Sequence, residues 1–414
     1  MTIVPLVFLA CLLFLFSLVS ERTKQTWITA PMVFTAAGIL AFPFVPQALL
    51  EPEDWGTFLH IAELGLVLLL FTEACHLDFH ILKIIHAFPA RLLSVGMLLT
   101  IVAGAAAAKL VFPQLAIWEA GILGAILAPT DAGLGQTIIT SPCVPVSVRK
   151  ALSVETGLND GLAVPFLMFF IALAAAEMGV ASGSLPRLIT EQLGLGALTG
   201  SVIGIAGGWL MGMASRKHWM EKPFRPIAVT ALPLLCMMIS EAVGASMFIA
   251  AFVAGLGVQR GFREAGQLSV EFAETWGQLI NLTVFFLFGM VVARDWRDFS
   301  APAALYAALS LTVVRMIPVA ISLIGCRLSI ATVLFTGWFG PRGLASIVLG
   351  LVYLEQEINL PGEAAIQTAV TMTVALSIVA HGLTAVPGAS LYARRVERLG
   401  ALAPERADVA SQPA

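Results

Sequence analysis

The run Ala151-Leu-Ser-Val-Glu155-Thr156-Gly-Leu-Asn159-Asp160-Gly-Leu-Ala-Val-Pro165 continues, apolar throughout, by way of Phe-Leu-Met-Phe-Phe to Ala176. A helix entering a membrane near Val148 carries Asp160 about 18 Å along its axis at 1.5 Å per residue. That depth is close to the midplane of a hydrocarbon slab roughly 30 Å thick. A carboxylate there costs several kcal/mol unless it is paired, hydrated or protonated, so it is rarely left without a task. The stretch therefore predicts a membrane helix built around one functional charge.

Composition extends this reading to the whole chain. Of the 414 residues, 58% are hydrophobic and only 12% charged, with mean hydropathy +0.92. A water-soluble domain would need about twice that charge to cover its surface. Cys11, Cys75, Cys143, Cys236 and Cys326 are scattered in apolar surroundings without a C-x-x-C pair, so they read as packing residues. The expectation is an all-α polytopic membrane protein with thirteen spans, near 3–20, 27–45, 57–75, 90–112, 117–140, 148–176, 189–214, 224–242, 245–260, 276–293, 299–324, 327–354 and 363–389. The first span lacks a basic leader and is followed by Arg22 and Lys24, the pattern of a retained helix. The expected transport domain is 1–393, with a short polar tail at 394–414.

Basic residues sort the loops. One side collects Arg22, Lys24, Lys83, Arg91, Arg149, Lys150, Arg216, Lys217, Lys222 and Arg225. It also takes Arg260, Arg263, Arg327, Arg394, Arg395, Arg398 and Arg406, making 17 of the 23 Lys and Arg residues. The other side holds Arg187, Arg294 and Arg297 beside Glu51, Glu53, Asp54, Glu355, Glu357 and Glu363. The positive-inside rule predicts a cytoplasmic C-terminus and, with thirteen spans, an external N-terminus.

Two spans are interrupted: Ala128-Pro129-Thr130-Asp131-Ala-Gly133 in the fifth, and Phe339-Gly340-Pro341-Arg342-Gly343 in the twelfth. Proline beside glycine and polar residues breaks a helix, and broken backbone at membrane depth is tolerated only around a buried or hydrated cavity. The breaks fall at matching places in two six-helix repeats, about 1–176 and 224–393, with the linker helix 189–214 inverting the second. Inverted repeats with broken helices crossing at mid-membrane point to a secondary transporter with its site at the breaks.

On span six, Glu155 and Asn159 are four apart, as are Thr156 and Asp160, so the four share one broad helix face. Thr130 and Asp131 stand at the first break; Asp131 can also cap the half-helix that follows Pro129. Such oxygen ligands suit a hard cation, Na⁺ or Li⁺, and no thiolate or imidazole cluster invites a transition metal. Arg342 cannot deprotonate and needs an anion at its depth, for which Glu155 is the first choice. Glu73, at the inner end of span three, can join the site or its entrance. His381 reads as a packing or hydrogen-bonding residue. His76, His80 and His86 read as solvated loop residues. Arg315, Glu63 and Glu241 are left without assigned partners.

Four strings resemble the monovalent cation:proton antiporters of the NhaP and mammalian sodium/proton exchanger type: Ala128-Pro-Thr130-Asp131, Val154-Glu155-Thr-Gly-Leu-Asn159-Asp160-Gly161, Phe339-Gly-Pro-Arg342-Gly-Leu-Ala-Ser346 and Ala380-His381-Gly-Leu-Thr384. The resemblance runs through the whole chain in order. It implies the sodium/proton antiporter fold, a homodimer, elevator-like alternating access and, from Asn159-Asp160 in place of Asp-Asp, electroneutral exchange. Carried over by position, Asp160 is the cation and proton carrier and Asn159 its stabilising neighbour. Thr130, Asp131 and Thr156 are further ligands, and Glu155–Arg342 a structural ion pair. The family's usual Thr-Asp-Pro is Thr130-Asp131-Ala132 here, and its Glu-Ser is Glu155-Thr156, which keeps the hydroxyl.

The expectation is a Na⁺(Li⁺)/H⁺ antiporter of the inner membrane, partnered by lipid, cation and proton, with no cofactor, no nucleic acid and no enzymatic reaction. Within the class the alternative is K⁺/H⁺ exchange. The rival from another class is an intramembrane hydrolase using Asp131 and Asp160 as a catalytic pair, but no water-activating histidine or metal set accompanies them.

Overall fold

The computed structural model describes residues 3–23, 26–44, 55–76, 88–179, 194–262, 265, 277–356, 358–399 and 405. Lys24, Glu51, Glu53, Asp54, Asp78, His80, Lys83, His86, Arg187, Arg263, Glu357 and Arg406 lie outside the described residues, as does the side chain of His76. All regular structure among the described residues is helical. In chain order the helices are α1 (Ile3–Thr23), α2 (Ala30–Ala41), α3 (Trp55–His76), α4 (Phe88–Val111), α5 (Ile117–Ile126), α6 (Ala132–Ile139), α7 (Val146–Glu177) and α8 (Gly196–Arg216). They continue as α9 (Phe224–Val243), α10 (Met247–Val258), α11 (Gln278–Asp295), α12 (Ala301–Leu311), α13 (Val313–Ser322), α14 (Ile330–Trp338), α15 (Leu344–Glu355) and α16 (Glu363–Val396).

Seven helical stretches among the described residues, one of them α12 together with α13, are long and apolar enough to cross a bilayer. Large apolar side chains such as Phe14, Leu110, Leu198, Trp209, Met238 and Ile330 face outward, as a lipid-solvated surface requires. The chain is a multi-pass membrane protein.

The helices pack as two groups. Helices α2 and α11 lie against each other, as do α3, α8, α9 and α10. Close approach comes from small residues: a Cβ added at Gly200, Gly204 or Gly208 of α8 would strike the backbone at Ala250, Ala254 or Val258 of α10. The second group contains α4 to α7 and α12 to α16. A seam between the groups is formed where α3 meets α7 and α15, and where α11 meets α15 and α16. We call the first group the scaffold and the second the core.

Both expected breaks are present. The fifth span divides into α5 and α6 around residues 127–131, and the twelfth into α14 and α15 around 339–343. Span eleven, read as continuous over 299–324, is also interrupted. Thr312 leaves helical geometry at φ −113, ψ −91, and its hydroxyl donates back to the Ala308 carbonyl at 2.6 Å. Back-bonding of this kind bends helices, and this bend offsets α13, which carries Arg315, from α12.

Candidate functional site

The two breaks meet face to face. The Asp131 N–H donates to the Pro341 carbonyl at 2.8 Å, joining the chains directly. The Asp131 carboxylate then caps both half-helices that leave the crossing. Its Oδ1 accepts from the Leu134 N–H at 2.6 Å, and its Oδ2 from the Leu344 N–H at 2.5 Å. Each bond satisfies an orphan donor of a first helical turn, and the negative charge lies where two positive helix ends converge. With Ala132 in place of proline, α6 still begins at residue 132, because the Asp131 side chain supplies the start signal.

Arg342 is fully buried, and the structure corrects its expected pairing. Its Nη1 donates to the carbonyl oxygens of Ala128 and, at 2.8 Å, Pro129, so the second break binds the freed carbonyls of the first. The partner of Glu155 is Arg315, at 2.5 Å with both side chains buried. The Arg315 side chain crosses from α13 to reach α7, whereas Arg342 is held by the first break. Arg342 has a different task because its own backbone is part of the break.

A chain of hydrogen bonds ties the second break to α16. The Arg342 N–H donates to Ser377 Oγ at 2.7 Å, Ser377 Oγ lies 3.1 Å from His381 Nδ1, and His381 Nε2 lies 2.9 Å from the Trp338 carbonyl. The Trp338 carbonyl can only accept, so Nε2 donates to it; Nδ1 also lies 3.0 Å from the Ser377 carbonyl, so both ring nitrogens are engaged.

On α7, Asn159 Nδ2 donates to Thr130 Oγ1 at 2.6 Å, fixing the amide against the first break. Thr156 turns its hydroxyl proton onto the Leu152 carbonyl at 3.0 Å, which leaves its oxygen lone pairs available. Asp160 is buried, and its Oδ1 has no protein hydrogen-bond partner; the same holds for Asn159 Oδ1 and Glu73 Oε2. Glu73, on the scaffold helix α3, is within electrostatic range of both Asp160 and Asp131. It lies across Gly157 of α7, where an added Cβ would stand 3.7 Å from its own. Three carboxyl groups thus gather where α3, α7 and the first break meet.

Sequence reading missed the Arg315 partner, the Ser377 link and Asn281. The side chain of Asn281 on α11 reaches the start of α6, where a Cβ at Gly133 would lie 2.7 Å from its Nδ2. An amide inside the apolar run Leu279-Ile-Asn281-Leu was the available signal. Glu63, unassigned from sequence, lies buried on α3 within hydrogen-bond reach of Glu355 at the end of α15.

Comparison with known proteins agrees with this architecture. Two structures of the sodium proton antiporter MjNhaP1 from Methanocaldococcus jannaschii superpose with TM-scores of 0.69 and 0.74 at 20% identity, covering 92% and 97% of this chain and 99% of theirs. The fold is the sodium/proton antiporter fold. Among sequence relatives, Na(+)/H(+) antiporter 2 of Zygosaccharomyces rouxii is 26% identical over 381 residues, covering 84% of this chain and 46% of that protein. A probable Na(+)/H(+) antiporter of Schizosaccharomyces pombe is 25% identical over 341 residues, covering 77% and 44%. The K(+)/H(+) antiporter NhaP2 of Shewanella sp. ANA-3 is 26% identical over 383 residues, covering 90% and 64%. The chain spans under half the length of the two yeast relatives. The family model described as "Sodium/hydrogen exchanger, transmembrane" matches residues 7–389, and the chain belongs to that family.

Proposed function

We propose that the chain is a secondary active antiporter exchanging Na⁺ or Li⁺ for H⁺ at Asp160. The observation that carries this reading is the set of buried oxygens without protein partners on Asp160, Asn159 and Glu73, beside a break crossing capped by Asp131. A buried carboxylate is unfavourable alone, so Asp160 takes either a proton or a cation, and each excludes the other. Asp160 is the carrier. Asn159, held by Thr130, keeps the carrier's neighbour neutral and offers Oδ1 as a ligand. Thr130, Thr156 and Asp131 contribute oxygens to the same cation, and Glu73 closes it from the scaffold. Glu155 takes no part in the exchange because Arg315 neutralises it.

In this reading the core moves past the scaffold as an elevator, with Asp160 carried on α7 and Glu73 left behind on α3. Residues 1–393 form the transport domain, with repeat one at about 1–176, the linker at about 189–214, repeat two at about 224–393, and a cytoplasmic tail at 394–414. Thirteen spans place the N-terminus outside. The protein works as a homodimer in the inner membrane, one cation exchanging for one proton.

A second reading, K⁺/H⁺ exchange, is favoured by the NhaP2 relative, which covers more of this chain than either yeast protein. The deciding experiment is dissipation of an imposed pH gradient in proteoliposomes on adding Na⁺, Li⁺ or K⁺ at several pH values. Collapse with Na⁺ and Li⁺ supports the first reading, and collapse with K⁺ alone supports the second. Folded protein that responds to none of the three cations overturns both.

A further inference from the structure

Asn281 stands on the scaffold helix α11, in a stretch otherwise lined by apolar packing against α2 and α3. Its amide is placed over the first turn of α6. A point 2.7 Å from Asn281 Nδ2, the Cβ position of Gly133, is also 3.1 Å from Asp131 Oδ1. Gly133 leaves room for this approach, since a side chain there would push the amide aside. The other end of the amide, Oδ1, is buried without a hydrogen-bond partner. A buried amide oxygen left unsatisfied is disfavoured, and half a turn about χ2 exchanges the two ends.

We propose that Asn281 is a further ligand of the transported cation, reaching it from the scaffold across the seam and setting which cation the site prefers. This rests on the antiport reading above. Asp160, Asn159, Thr130 and Thr156 all travel with the core, so their spacing alone cannot change as the core moves. Glu73 and Asn281 are different: both belong to the scaffold, and they complete the coordination only where core and scaffold are aligned as they are here. A neutral carbonyl oxygen adds a ligand without adding a charge, so it discriminates by cavity size and ligand number, leaving the proton balance unchanged.

The test compares wild type with Asn281→Ala, Asn281→Leu and Asn281→Ser in proteoliposomes, measuring Na⁺-, Li⁺- and K⁺-driven proton flux. Asn281→Leu keeps the volume, and Asn281→Ser keeps an oxygen. The expected result is a rise of about tenfold in the apparent KM for the preferred cation in the Ala and Leu variants, the worth of one ligand oxygen. The maximal rate should stay within about twofold, with a smaller KM change for Ser and an altered cation ranking. Unchanged KM and ranking in the Ala and Leu variants overturn the proposal. So does a fall in maximal rate alone, which marks a packing role. Should the Leu variant fail to fold, the rise in melting temperature on adding Na⁺ or Li⁺ to detergent-purified Asn281→Ala and wild type decides the matter; equal rises overturn the proposal. Wild-type protein that is folded but shows neither flux nor cation stabilisation instead overturns the antiport reading itself.

Discussion

The two breaks occupy matching places in the chain but are finished with opposite charges. At the first, Asp131 turns its carboxylate onto two backbone N–H groups, one on each side of the crossing. At the second, Arg342 turns its guanidinium onto two backbone carbonyls of the first break, Ala128 and Pro129. A helix broken at mid-membrane exposes donors on one side and acceptors on the other, and neither can be left bare. Here one residue satisfies donors of both breaks, and another satisfies the acceptors of the first. The Trp338 carbonyl of the second falls to His381. The difference divides the two: the first break lies beside the unpartnered buried oxygens of Asp160, Asn159 and Glu73, whereas the second is tied to α16 through Ser377 and His381.

The largest expected effect tests that division. Asp160→Asn preserves volume and removes the titratable group next to the first break, so exchange falls to background while the protein remains folded. Arg342→Lys, at the second break, keeps a charge but loses the planar guanidinium whose Nη1 donates to both carbonyls. It should lower stability while leaving measurable exchange. Cation-driven proton flux in proteoliposomes, with melting in detergent as the folding control, reads both. Near-normal flux through Asp160→Asn would end the assignment of the carrier.

A cycle of stability mutants separates the two arginines. Removing either member of the buried Glu155–Arg315 pair strands the other charge, at about 3–5 kcal/mol. Glu155→Ala and Arg315→Ala should each melt lower, and the double mutant should lose clearly less than their sum. Glu155→Ala combined with Arg342→Ala should come closer to additive, because Arg342 is held by carbonyl oxygens. If the coupling instead appears with Arg342, the ion pair drawn here is wrong.

What could be read from the chain alone follows from where each signal is stored. Both breaks were placed within a residue or two by Pro129 and Pro341, because a proline removes a donor locally and its effect does not depend on the rest of the fold. The face shared by Glu155, Thr156, Asn159 and Asp160 is likewise fixed by helical spacing. The partner of Glu155 was not readable. Arg315 and Arg342 both lie in apolar spans of the C-terminal half, and their local spacing does not say which one meets Glu155 across the fold. Asn281 escaped for a related reason, since its meaning comes from Gly133 lying opposite on another helix. Thr156 was readable as a hydroxyl, but not that its proton is turned onto Leu152.

A smaller effect lies at the far ends of the broken helices, where each first half starts with a borrowed carboxylate. Glu119 accepts from the Ala116 N–H at 2.6 Å and from the Gly362 N–H at 2.7 Å, clamping the start of α5 to that of α16. Glu405, from the tail, accepts from the Ser329 N–H at 2.6 Å and from the Thr332 hydroxyl at 2.9 Å at the start of α14. Glu119→Ala strands two backbone donors and should cost about 1–3 kcal/mol. Burial pushes the Glu405 carboxyl up, but the hydrogen bonds from Ser329 and Thr332 outweigh it and hold the group below the ordinary glutamate range. A depressed acid stabilises the fold above its unfolded value and loses that contribution as pH falls through the folded one. Between pH 7 and the acid range, wild type should therefore lose about 0.5–1 kcal/mol more than Glu405→Gln. Parallel pH dependence of the two melting curves would show that the tail contact adds nothing.

The smallest expected effect is a null, and it bears on the charge division between the breaks most directly. Glu155 is held in an ion pair by Arg315, at 2.5 Å with both side chains buried. If Asp131 stays ionised as the common cap of α6 and α15, its charge is committed to the backbone and does not cycle. Asp160 is then the group that trades one proton for one cation, and no net charge crosses the membrane. Na⁺-driven proton flux in liposomes should be the same with and without a potential clamped by valinomycin. An exchanger moving one net charge would respond steeply, since that charge is worth about 2.3 kcal/mol per 100 mV. A rate or end-point that follows the imposed voltage would mean that a second carboxyl titrates during the cycle. Glu73 is then the first suspect, because its pairing with Asp160 and Asp131 places a further carboxyl at the same junction. Asp131 is the second, and Asp131→Asn separates them: it keeps an acceptor for only one of the two half-helices and cannot carry a proton, so voltage dependence that survives it in folded protein lies with Glu73.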